Sequence, residues 1–184
     1  ALPSILVEYS DIIQVFIPEL KDTVIEQSIA SINRSLLNAN IRTAILLKDI
    51  PNAKEILERL KYSGAEQTVI LNCIKHSTKS LTSKIELKQF LSKLNIPFDI
   101  YHTYRYAIDT DYPRYNMLAY YHEIQDASEP YLLKHLAIDG NTIKGIGYQG
   151  KEIADVLHAC LDEVIHHPEN NDAKILIDMI KRTD

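Results

Sequence analysis

Apolar residues recur at helical spacing along nearly the whole chain. Positions three and four apart share one helix face, so this pattern marks stripes that demand burial. Residues 4–17, with Ile5, Leu6, Ile12, Ile13 and Phe16, read as one helix ending at Pro18. Residues 23–38 give a second, through Val24, Ile25, Ile29, Ile32, Leu36 and Leu37. Residues 41–48 form a short buried helix, and Pro51 can open the next at its first turn. Ser63 with Glu66, and Ser83 with Glu86, spell capping boxes ahead of the runs 65–76 and 84–94. Pro97 opens a helix to about Ile108, Pro113 opens another to about Gln125, and Pro130 begins the following segment.

Before residue 138 there is no alternating Val/Ile/Thr-rich run bounded by Asn-Gly or Asp-Gly turns. The pattern therefore predicts an all-α protein, a multi-helix bundle with little or no β structure. The last fifty residues change character. Four of the five glycines fall at 140, 145, 147 and 150, and helical patterns then cover 151–166 and 171–182. A boundary is expected near 126–131, giving a helical body over 1–128 and a smaller helical tail over 129–184.

Charge refines this picture. The formal net charge is -5, which argues against a wholly basic nucleic-acid binder. Residues 59–105 nevertheless carry eight basic against three acidic groups, while every flanking segment is net acidic. Phosphates sense local charge rather than the total. The island comprises Arg59, Lys61, Lys75, Lys79, Lys84, Lys88, Lys93 and Arg105, with Lys84 and Lys88 one turn apart on one face. Such a stretch is either a solvated surface or a phosphate-directed contact with an RNA backbone.

Several groups lack the spacing of a reactive site. Cys73 and Cys160 sit in apolar helical patterns and read as buried free thiols. Asp109-Thr110-Asp111 follows a helical run with no Gly-Ser turn or strand before it, so it reads as a helix-ending turn. The seven histidines form no legible Ser-His-Asp or Cys-His arrangement, and His166-His167 suits a helix C-terminus. No catalytic residue and no metal ligand is assigned. Eleven tyrosines against no tryptophan is unusual; the cluster from Tyr101 to Tyr121 either stacks on bases or packs helices together.

The glycine segment carries a resemblance. Leu136-Ala137-Ile138-Asp139-Gly140-Asn141, followed by Gly145-Ile146-Gly147-Tyr148-Gln149-Gly150-Lys151 and Glu152 to Leu157, resembles the C-terminal part of bacterial CCA-adding tRNA nucleotidyltransferases and their poly(A) polymerase relatives. Leu161, Val164 and the pair Asn171-Asp172 also match that pattern. Tyr9 to Ile13 leading to Ile17-Pro18-Glu19-Leu20 is similar to the segment after the neck of these enzymes. Where many relatives have a histidine-aspartate metal motif, this chain reads Leu46-Leu47-Lys48-Asp49-Ile50. Lysine is no metal ligand at neutral pH, so the phosphohydrolase activity of some relatives does not carry over.

The resemblance implies a tRNA-holding body and tail, with tRNA as partner. A catalytic domain outside these residues, on the same polypeptide, would use Mg²⁺ with CTP or ATP; no cofactor is expected in this chain. The start at Ala1 hints at a cut within a longer protein. Cytoplasmic localisation is expected, with no membrane association. Glycine allows close backbone approach, and a helix start presents N–H groups and a positive dipole. Gly145, Gly147, Gly150 and Lys151 are accordingly candidate phosphate contacts, joined by Lys144, Lys84 and Lys88. A plain tight turn remains the alternative for the glycines. A degenerate HD-type nucleotide-binding module and a helical protein-interaction domain are the rival readings of the whole chain.

Overall fold

A computed structural model describes residues 2–183. Among them the chain forms twelve α-helices, two single-turn 3-10 segments and no strand, so the fold is all-α. The helices gather into two compact units: Ala1–Ser80 with Leu94–Arg114, and Leu81–Lys93 with Tyr115–Asp184.

In the first unit, α1 (Leu2–Glu8) and α2 (Ser10–Phe16) replace the single helix predicted over 4–17. Tyr9 leaves helical dihedrals at φ -113°, ψ 27°, although apolar periodicity runs on through it. Helix α3 (Asp22–Arg34) stops before the predicted 38 because Leu36 takes a left-handed φ of 45°. Arg34 closes the α3 end by donating from Nε and Nη2 to the Ala107 carbonyl at 3.0 and 2.7 Å. Helix α4 (Ala39–Leu47) is capped by Asn38 and packs on α3, on α6 (Gly64–Lys75) and on α8 (Phe98–Ile108). Its Ile41, Ala44, Ile45 and Leu47 are all buried, so α4 is the core element of this unit. Pro51 lies in a turn, and α5 (Ala53–Arg59) begins after Asn52. Ser63 and Glu66 make both halves of the predicted capping box on α6.

The second unit begins with α7 (Lys84–Leu91), whose Leu87, Phe90 and Leu91 are buried. Ser83 caps it by accepting from Glu86 N–H at 3.2 Å. The Glu86 carboxylate reaches back to Thr82 N–H at 2.7 Å, one residue before the expected partner. Helix α9 (Arg114–Asp126) follows Pro113 as predicted, with Arg114 itself in the first unit. Then come α10 (Gly140–Gly145), α11 (Lys151–His166) and α12 (Ala173–Thr183). Ile138, Ile143, Cys160, Val164, Leu176 and Ile180 form their common core. This unit joins 81–93 to 115–184. Helix α7 packs on α11, and Gln89 donates to Asp162 at 3.3 Å.

No helix among the described residues is long and apolar enough to cross a membrane.

Candidate functional site

The glycine-rich segment folds as two helices around an exposed turn. Asp139 opens α10 by accepting from Thr142 N–H and Thr142 Oγ1, both at 2.9 Å. These bonds hold its carboxyl below the usual aspartate range. The sequence pattern shows no helix over 140–145, since glycine bounds it on both sides; the Asp139 cap supplies what propensity lacks. Asn171 clamps the approach to this segment. Its Nδ2 donates to the His135 carbonyl and its Oδ1 accepts from Ala137 N–H, each at 2.9 Å. Asp172 then caps α12 by accepting from Lys174 N–H at 2.9 Å and Ile175 N–H at 3.2 Å. The Asn-Asp pair thus fixes the two sides of the tail core to each other.

Between α10 and α11 the backbone depends on glycine. Gly147 has φ 116° and Gly150 has φ 56° with ψ -125°, conformations that a side chain resists. Gly150 is the N-cap of the 16-residue α11 and brings no capping side chain to it. Glu152 reaches back instead, accepting from Gln149 N–H at 3.3 Å. Gly145, Gly147 and Gly150 are exposed, and so are Lys144 in the last turn of α10 and Lys151 in the first turn of α11. Neither lysine takes part in an ion pair among the described residues. Lys144, Gly145, Gly147, Gly150 and Lys151 are therefore exposed within a backbone turn and a helix start, while Ile146 and Tyr148 of the same turn pack on the core.

Lys84 and Lys88 differ from Lys144 and Lys151 in being paired with carboxylates. Lys88 Nζ is bonded to Glu129 Oε2 at 2.9 Å, and its side chain is only 2% exposed. Lys84 Nζ bonds the other oxygen, Glu129 Oε1, at 2.8 Å and lies 3.5 Å from Glu123. The two lysines do share a helix face, but it is turned towards carboxylates of their own unit. An ammonium at Lys88 cannot meet a phosphate without breaking a buried pair. Burial opposes the Glu129 charge, yet the lysine bonds prevail and hold its carboxyl below the ordinary glutamate range.

The same holds for much of the basic island. Arg59 pairs with Glu19 through two bonds of 3.1 and 2.7 Å. Those bonds depress the Glu19 carboxyl to about 2. Arg105 is buried and pairs with Asp109 at 2.8 Å. Lys61, Lys75, Lys79 and Lys93 are exposed.

The remaining candidates resolve as structural parts. Asp109 is the C-cap of α8 and accepts from Asp111 N–H at 3.0 Å, so Asp-Thr-Asp is a helix-ending turn. Lys48 pairs with the adjacent Asp49 at the end of α4. Among the described residues no three His, Cys, Asp or Glu side chains gather where they could hold a metal. Cys73 and Cys160 are free and buried, and burial pushes the Cys73 thiol up to about 12. Tyr101, Tyr104 and Tyr112 are core residues, whereas Tyr115 is 72% exposed. His166 ends α11, its Nδ1 2.8 Å from the Asp162 carbonyl oxygen.

Comparison with known proteins brings no relative to this arrangement: no family model, no curated protein and no solved structure matches the chain.

Proposed function

We propose that this chain is the tRNA-binding, C-terminal part of a tRNA nucleotidyltransferase that adds CCA, or AMP residues, to RNA 3′ ends. The observation that carries the reading is the surface at 144–151. There, two glycines in side-chain-averse conformations precede a long helix between two exposed lysines, inside the segment that resembles those enzymes. A phosphate set against this turn meets backbone N–H groups, the positive end of the α11 dipole and the ammonium groups of Lys144 and Lys151. Each of these contacts recognises the RNA backbone and none reads a base. The chain's part in the reaction is positioning: it holds the tRNA body so that the 3′ end reaches a catalytic domain outside these residues. Mg²⁺ and CTP or ATP belong to that domain.

The test is a titration of labelled tRNA with the chain at about 50 and about 200 mM salt. Binding that weakens steeply between the two supports the reading. No binding at the lower salt, or binding indifferent to salt, refutes it.

A further inference from the structure

Helix α1 packs on α3, and Gln14 of α2 donates to Asp22 of α3, yet the two helices leave an apolar ridge outside. Ile5 (45% exposed), Tyr9 (46%), Ile12 (55%) and Phe16 (62%) recur at helical spacing, flanked by Val7 (42%) and Val15 (76%). The periodicity that predicts a buried stripe here is real, but part of the stripe faces water. Within α2, Ile12, Val15 and Phe16 lie three and four positions apart and share one exposed face.

The charges on these two helices are acidic: Glu8 and Asp11 are both exposed, while Glu19 beyond them is paired with Arg59 and Lys21 is the N-cap of α3. Beside the ridge is a cleft of about 210 Å³ lined by Val7, Ser10, Asp22, Ile25 and Glu26. Asp22 and Glu26 lie one turn apart on α3, so both carboxylates fall on one face. Asp22 accepts from Gln14 Nε2 at 2.7 Å, which leaves its charge uncompensated. Neither carboxylate takes part in an ion pair among the described residues.

We infer that this ridge and cleft form a docking surface for a basic amphipathic helix of a protein partner. The partner's apolar stripe covers Ile12, Val15 and Phe16, and a lysine or arginine enters the cleft between Asp22 and Glu26. A second copy of this chain is the poorer occupant. It would set Glu8, Asp11, Asp22 and Glu26 against the same carboxylates, and like charges at an interface repel. The inference stands independently of RNA binding.

The test uses the full chain and two designed helical peptides with identical leucine stripes, one flanked by lysines and one by glutamates. The lysine peptide should bind at least about tenfold more tightly than its twin, as like-charge juxtaposition demands. Val15→Ser with Phe16→Ser, and separately Asp22→Asn with Glu26→Gln, should each weaken that binding at least about fivefold while helix content stays unchanged. All these positions are at the surface, so the variants should fold. Equal affinity for the two peptides, or unchanged affinity of the variants, would overturn the inference. So would self-association of the chain at micromolar concentration that Phe16→Ser abolishes, since the occupant would then be a second copy.

Discussion

Replacing Glu129 with glutamine should unfold the second unit more readily and leave the turn at 144–151 untouched. The Lys88 side chain is 2% exposed, and Glu129 supplies its bond at 2.9 Å. Removing one partner of a buried ion pair strands the other charge and costs about 3–5 kcal/mol. Glutamine keeps an acceptor oxygen for Lys88 or Lys84, so the lower figure, about 3 kcal/mol, is expected. For a chain of this size that corresponds to a melting midpoint lower by roughly 6–12 °C, followed by far-UV circular dichroism. Lys88→Met should cost less, because it removes the buried charge and leaves Glu129 with Lys84. The double variant should lose less than the two single losses together, with a coupling of about 1–2 kcal/mol. Lys88→Met should also bind tRNA as the parent does, at a temperature where both are folded. An unchanged midpoint for Glu129→Gln would refute the buried pair. Weaker RNA binding by Lys88→Met with normal stability would show that Lys88 contacts RNA despite its pair with Glu129.

Two further predictions concern pH and the turn. Glu19 ionises at about 2 in the folded chain instead of the ordinary 4.5. A depressed carboxyl stabilises the fold above its unfolded value, so the contribution is whole above about pH 4.5 and is lost as pH falls towards 2. Thermal midpoints measured across that range should fall less steeply in Glu19→Gln; an identical slope would contradict the pair with Arg59. Gly150→Ala meets no atom within 4 Å of its new Cβ but must hold φ at 56°. The loss, about 1–3 kcal/mol, is therefore conformational and readable by denaturant unfolding; unchanged stability would show that alanine accepts this backbone.

The sequence made the helices legible where the signal was local. Ser63 and Glu66, three residues apart, define the start of α6 by themselves, and Pro97 and Pro113 mark the openings of α8 and α9. The break at Tyr9 was hidden because Ile5, Ile12 and Phe16 keep helical spacing across it. Helix α10 was hidden because its start rests on Asp139, a cap with no amphipathic stripe behind it. The site divides in the same way. The glycine dihedrals at 147 and 150 follow from residue type, and the exposed lysines beside them could be chosen from sequence. The fate of Lys88 could not, because Glu129 is 41 residues away and only the fold brings the two together. Net charge in a window counts such a lysine as available to phosphate; its partner removes it.

If the turn at 144–151 receives RNA phosphates, Lys144→Gln/Lys151→Gln must change the salt dependence of tRNA binding. Each lost phosphate contact lowers the slope of log affinity against log salt by about 1. The slope should be shallower by about 2 in the double variant, with an unchanged melting midpoint because both side chains are exposed. A slope equal to that of the parent chain would contradict it.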